Sequence, residues 1–324
     1  MALKNRVCEI LGIEKPVIQG PMVWLTDARL IAAIGNAGGM GCLGPNAGQT
    51  IPTPCPLETA ERMREEIRKV KALSNKPFAV NLIPDVPERD PFTEPMLKVI
   101  YEEKVPAVVY TGPCFPDLFA QLKENNVKII FRDLNPSVES AQLAEKHGAD
   151  IIVATGFDEG GTLPNKVLGT FSIVPMIVDA VKHTPVMAAG GISDSRTAQA
   201  AFALGAEGLF CGSVFLPSEE CRMAENVKAA MINSSAADLL LFRTMPAYYR
   251  SLPGDLAHTL VEMDREGASN EEIGKKMGGF ANIRIGMLEG DMNKGYVALG
   301  TGISSIRSVK PVHVIIEELT AHLM

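Results

Sequence analysis

Three consecutive units between Ile151 and Ser213 constrain this chain most. They read I-I-V-A-T-G-F-D-E-G-G, T-P-V-M-A-A-G-G-I-S-D and A-E-G-L-F-C-G-S-V-F, each an apolar run that ends in glycine. A run that is apolar at nearly every position is the signature of a buried parallel strand, because helices cover both of its faces. Glycine just beyond such a strand lets backbone N–H groups come close to a ligand and aim at an anion. In a (β/α)8 barrel the loops after strands 7 and 8 commonly form a phosphate site at the C-terminal face. Glycines also simply end strands, and one of them would say no more than that. Three sets in consecutive units, Gly160-Gly161, Gly190-Gly191 and Gly212-Ser213, favour a phosphate cradle.

The rest of the chain supplies the units such a barrel needs. Strand-like runs occur at 16–22, 40–43, 77–82, 106–110, 127–131, 149–154, 184–187 and 208–211, with helical segments between them. Eight alternations before residue 215 predict a (β/α)8 TIM barrel. A doubly wound sheet is the rival, but no G-x-G-x-x-G follows the first strand. Thr26 is the expected cap of the first helix after that strand. Asn81 falls near the end of the third strand, where its amide is either a turn-former or a reader of ligand carbonyl and N–H groups. Arg132-Asp133 follows the fifth strand, either as a plain ion pair or with the cation placed to meet anionic charge. Beyond Glu219 the alternation is lost and Met- and Ala-rich helical character takes over. The expected organisation is a barrel over 1–219 and 290–324, with 220–289 as a helical insertion over the barrel mouth. Gly295 to Gly302 is expected to return to the rim, ahead of a closing helix from Pro311.

Composition excludes several function classes. A net charge of −7 without a Lys/Arg cluster argues against a nucleic-acid surface. No apolar run reaches the roughly 18–20 residues of a membrane span, and the first residues lack a signal-peptide core, so a cytoplasmic location is expected. The six cysteines form no C-x-x-C pair and the five histidines are dispersed, so no metal site is expected. The expected partner is a small-molecule substrate, with a homodimer left open.

Taken together, P-V-I-Q-G-P-M at 16–22, P-F-A-V-N-L at 77–82, D-E-G-G at 158–161, A-A-G-G-I-S-D at 188–194 and L-G-A-E-G-L-F-C-G-S-V-F at 204–215 resemble the family of nitronate monooxygenases and enoyl-ACP reductase II, FMN-dependent β/α barrels. The resemblance runs from about residue 10 to the final helix. It implies that Gly20, Pro21 and Met22 lie along the flavin ring, that Asn81 meets the ring's polar edge, and that Arg132 stands near its N1/C2 region. It further implies that Asp158, Gly160, Gly161, Ala189, Gly190, Gly191, Gly212 and Ser213 belong to the cofactor-binding set around the ribityl chain and phosphate. One departure matters. Relatives commonly read E-A-G-G-H, whereas this chain reads D-E-G-G-T, so Thr162 stands at the histidine position. A threonine hydroxyl hydrogen-bonds but cannot do histidine's acid–base work near neutral pH. Neutral nitroalkanes, which must lose a carbon-bound proton, are therefore expected to react more slowly than preformed nitronates, unless another residue supplies the base.

The resemblance implies an FMN-dependent oxidoreductase of the nitronate monooxygenase type, oxidising a small carbanion-like substrate with oxygen or another acceptor. The alternative is an FMN reductase driven by NADH or NADPH and acting on an enoyl thioester or quinone. A third class, a non-redox phosphate-binding lyase or isomerase, would need a lysine or paired carboxylates at strand ends; Lys166 and Asp158-Glu159 are its nearby candidates.

Overall fold

The computed structural model describes residues 5–86 and 90–323; the outermost residues of the expected barrel segments, at 1–4 and 324, lie outside them. Eight parallel strands form one sheet: β1 (Val17–Gln19), β2 (Cys42–Leu43), β3 (Ala79–Leu82), β4 (Ala107–Thr111), β5 (Lys128–Arg132), β6 (Ile151–Thr155), β8 (Val186–Ala189) and β9 (Gly208–Cys211). Their spatial order is β1-β9-β8-β6-β5-β4-β3-β2. A parallel bridge between Ile18 and Met40 joins β1 to the approach to β2 and closes the ring. The chain folds as a (β/α)8 TIM barrel.

Period-two alternation divides the strand side chains between two cores. Ile151, Val153, Met187, Ala189 and Phe210 belong to an interior cluster with Ile18, Ala79, Val109 and Ile130. Ile152, Ala154, Val186, Ala188 and Leu209 instead pack outward against the helices. The short N-terminal helix Arg6–Leu11 contributes Val7, Cys8 and Leu11 to the interior cluster, so it plugs one end of the barrel. The same parity that turns Ala79, Val109, Ile130 and Val153 inward also governs Asn81, Thr111, Arg132 and Thr155, two residues further along each strand. Polar groups are thereby gathered at the C-terminal end, above a hydrocarbon interior.

Two local expectations are corrected. The helix Ala28–Asn36 is capped by Asp27, whose side chain accepts from the Leu30 N–H. Thr26 is spent elsewhere, its hydroxyl accepting from Gly44 N at 2.8 Å. The segment 220–289 is not helical throughout. It contains β10 (Leu240–Arg243) and β11 (Tyr248–Ser251), which form a three-stranded antiparallel sheet with β7 (Thr162–Leu163) from the loop after β6. The run L-L-F-R-T-M-P-A-Y-Y-R carries β-favouring phenylalanine and tyrosines flanking a turn, a hairpin signal set within a helical composition. The segment expected at the rim bridges β11 at Ser251–Ala298 and meets the loops after β6 and β9 through Thr301 N to Asp158 O and Gly300 N to Ser213 Oγ, and the closing helix spans Val312–Thr320. Among the described residues no helix is long and apolar enough to cross a membrane, and no group of His, Cys, Asp and Glu is arranged to hold a metal ion.

Candidate active site

A cavity of about 290 Å³ opens at the C-terminal end of the barrel. Gly20, Pro21, Met22, Asn81, Arg132, Asp158, Gly160, Gly161, Thr162, Ala189, Gly190, Gly191, Gly212 and Ser213 all line it, so every site residue expected from sequence converges there. Phe280, Ile283 and Met287, from the segment 220–289, also line it. A second cavity of about 470 Å³ adjoins the first and shares Pro45, Asn81, Ile83 and Phe280 with it.

One wall is built from close backbone approach. A Cβ on Gly160 would meet Gly300 N at 2.6 Å, and one on Gly300 would meet Asp158 O at 2.8 Å, so the two loops touch only because both positions are glycine. Gly190 and Gly191 have φ of +102° and +71°, which turn the chain sharply after β8. By contrast, a Cβ on Gly161 or Gly212 would meet nothing within 4 Å. Space at these two positions is held open next to the cavity, as a backbone cradle for a ligand requires. The return segment tightens the same wall: Gly300 N donates to Ser213 Oγ at 2.9 Å, Thr301 N to Asp158 O at 2.9 Å, and Ser193 Oγ to Gly302 O at 2.7 Å. The Asp158 carboxylate accepts from Thr170 N at 2.7 Å, at the start of the helix Thr170–Ala180. Its charge is therefore directed at a helix N-terminus, a favourable placement for a carboxylate.

The polar floor has fixed orientations. Asn81 Nδ2 donates to Val109 O and to Thr111 Oγ1, both at 2.9 Å. Both amide hydrogens are used, so only Oδ1 is left to meet a ligand, as an acceptor. Arg132 Nη2 donates to Glu159 Oε2, and both side chains are nearly buried. The cation expected from sequence is thus present but paired. Glu159 Oε1 is screened from water and has no hydrogen-bond partner. Burial pushes the Glu159 carboxyl up to about 6, outweighing the pull of Arg132. Arg250 crosses from β11 to donate to Glu159 O at 2.7 Å and Phe157 O at 3.0 Å, with its guanidinium 5.3 Å from the centre of the Phe157 ring. Thr162 and Tyr249 pair across β7 and β11, their hydroxyls 3.3 Å apart, and both residues line the cavity. Burial raises the Tyr249 phenol above its ordinary value, which keeps it a neutral donor.

Sequence reasoning did not single out Tyr249, Arg250 or Thr111, and it weighed Glu159 only as part of a carboxylate pair. Tyr249 and Arg250 lie in the hairpin, where the sequence predicts helical character up to a loop that starts at Arg250, and Thr111 carries no motif of its own. Glu159 sits inside D-E-G-G and was legible as a charge beside a glycine turn; its partner Arg132 is 27 residues earlier in the chain.

A sequence model of the family described as nitronate monooxygenase matches residues 4–322. A probable nitronate monooxygenase of Staphylococcus aureus (strain JH9) is 33% identical, over 74% of this chain and 75% of that protein. Among solved structures, FabK from Thermotoga maritima superposes with a TM-score of 0.85 at 31% identity, covering 98% of this chain and 95% of that one. A nitroalkane oxidase from Streptomyces ansochromogenes shares the fold, with a TM-score of 0.80 at 22% identity over 98% of both chains.

Proposed function

Because the chain belongs to the nitronate monooxygenase family, we propose that it is an FMN-dependent oxidoreductase that oxidises a small, carbanion-like substrate of the nitronate type and passes the electrons to oxygen or another acceptor. The observation that carries this reading is the convergence of three glycine-led loops with Asn81 and Arg132 on one cavity. FMN, when bound, supplies a two-electron acceptor that no side chain of this protein can replace. In the proposed arrangement the backbone at Gly190, Gly191, Gly212 and Ser213 holds the phosphate, and Gly160 and Gly161 flank the ribityl chain. Asn81 Oδ1 would be the acceptor offered to the ring's polar edge, and Gly20, Pro21 and Met22 would help hold the ring. The open space at Gly161 and Gly212 fits this assignment, since a side chain at either place would enter the cavity. The hydroxyls of Thr162 and Tyr249 are suited to hold oxygen atoms of a substrate, while Phe280, Ile283 and Met287 exclude water. In this reading the segment 220–289 serves as a cap on the barrel.

A second reading is an NAD(P)H-dependent reductase of an enoyl thioester or quinone. The likeness to FabK and the adjoining 470 Å³ chamber favour it. The non-redox alternative has less support, since Lys166 is exposed and lies outside the cavity lining. The test begins with identification of the flavin released from purified protein, which should be FMN. Anaerobic addition of propane-2-nitronate should then bleach the flavin absorbance. Rapid bleaching by NADH or NADPH, with none by the nitronate, would replace the first reading by the second.

A further inference from the structure

A threonine hydroxyl does not serve as a general base near neutral pH, and a carboxylate lines the same cavity. Glu159 stands three residues before Thr162 and lines the same cavity. Its side chain is about a tenth exposed. Arg132 holds one carboxylate oxygen, and the other, Oε1, is shielded and unpartnered. A buried polar atom without a partner calls for an explanation, and service in a reaction is one that fits an atom beside a cavity. We propose that Glu159 accepts the α-proton of a neutral carbon acid, such as a nitroalkane, and so generates the carbanion-like substrate inside the cavity. The assignment rests on the nitronate-type reading above.

In the step, the substrate C–H bond breaks and an O–H bond forms on the Glu159 carboxylate. The electron pair stays on the substrate, delocalised into its nitro group, and nothing is oxidised or reduced. The surroundings suit both sides of the transfer. A carboxylate that titrates near 6 is a stronger base than an ordinary surface glutamate, yet it is still ionised at neutral pH. Once Glu159 is neutralised, the Arg132 charge is no longer compensated and opposes the new negative charge. The Tyr249 hydroxyl, which accepts from Thr162 Oγ1, can donate to a substrate oxygen as that charge develops. The charged and titratable groups around Glu159 are Arg132 from β5, Arg250 and Tyr249 from β11, and its neighbour Asp158. Asp158 accepts from Thr170, and Tyr249 is shifted upward, away from neutrality. A limb near pH 6 is therefore assigned to Glu159.

The experiment follows loss of the α-deuterium of 1,1-dideuterio-1-nitroethane to solvent by NMR, anaerobically and against a protein-free blank, so that flavin turnover is not the readout. Wild type should accelerate the exchange, with a rate that rises through pH about 6. Glu159→Gln should slow it roughly 10²–10⁴-fold, a loss at least 10² greater than any loss in flavin bleaching by preformed ethylnitronate. Wild-type exchange no faster than the blank overturns the proposal, as does exchange unchanged in Glu159→Gln. If Glu159→Gln does not fold, the wild-type profile decides: a rate flat between pH 5 and 8 overturns it. Exchange without bleaching by the nitronate would leave the proton transfer standing and remove the redox reading instead.

Discussion

Arg132 at the end of β5 donates to Glu159 in the loop after β6, and this one buried pair sets the charge at the floor of the cavity. An unopposed guanidinium would favour a reduced, anionic cofactor; a paired one does so only partly. Glu159→Gln should therefore raise the midpoint potential of bound FMN. A charge-assisted contact is worth about 1.5–3 kcal/mol, and for a two-electron couple 1.4 kcal/mol is about 30 mV, so the expected rise is roughly 30–60 mV. Arg132→Met should lower the potential by less than this at pH 7, because the abandoned buried carboxyl takes up a proton and no net charge is gained. Dye-equilibrated titrations of the three proteins check the order; equal potentials would separate the pair from the cofactor.

Gly212→Asp tests the phosphate cradle with little risk to the fold. A Cβ at Gly212 meets nothing within 4 Å and its φ of −114° is open to any residue, unlike the +71° of Gly191. The added carboxylate would enter the cavity and repel a phosphate there. Purified Gly212→Asp should carry little or no FMN while its circular dichroism and melting temperature stay near those of flavin-free wild type. A full complement of FMN would show that the phosphate binds elsewhere.

The barrel and most of its site were legible because their signals are local. Continuous apolar runs mark strands buried on both faces, and the glycines after β6, β8 and β9 stand within a few residues of the runs they end. What escaped detection depends on contacts between distant parts of the chain. Tyr249 reaches Thr162 across 87 residues, and Arg250 reaches Glu159 across 91. The hairpin that carries both is stabilised by pairing with the two residues of β7, a tertiary effect that local propensity does not report. Thr26 illustrates the same limit at smaller scale: capping chemistry is present in both Thr26 and Asp27, and only the demand of Gly44 N decides which of them caps.

Glu145 offers a pH-dependent stability test away from the cavity. Burial pushes its carboxyl up, but the N–H groups of His183, Thr184 and Lys182 outweigh that and hold it down at about 2. A depressed carboxyl stabilises the fold above its unfolded value near 4.5, and that contribution is lost as pH falls towards 2. The shift corresponds to at most about 3 kcal/mol, and to roughly 1–2 kcal/mol after solvent screening. Glu145→Gln should melt several degrees below wild type at pH 7, and the gap should narrow steadily between pH 4.5 and 2. A gap independent of pH would mean that the carboxylate charge is not what secures the turn before β8.

Thr162→His puts histidine at the position where the resemblance to nitronate monooxygenases expects it. Thr162 lines the cavity and its hydroxyl lies 3.3 Å from that of Tyr249, so an imidazole there would face the substrate instead of solvent. If Glu159 supplies the base in this chain, Glu159→Gln should lose most of its flavin reduction by neutral nitroethane, and adding Thr162→His should restore part of it. Positioned general-base catalysis contributes about 10²–10⁴-fold, which sets both the depth of the loss and the ceiling of the rescue. The restored rate should rise through the pH range of an imidazole, near 6.5, and preformed ethylnitronate should gain far less from the added histidine. Measured by anaerobic stopped-flow bleaching, a double variant as slow as Glu159→Gln alone would show that position 162 does not reach the substrate carbon. A double variant equally improved on nitroethane and on its nitronate would show that the histidine repairs binding and not proton transfer.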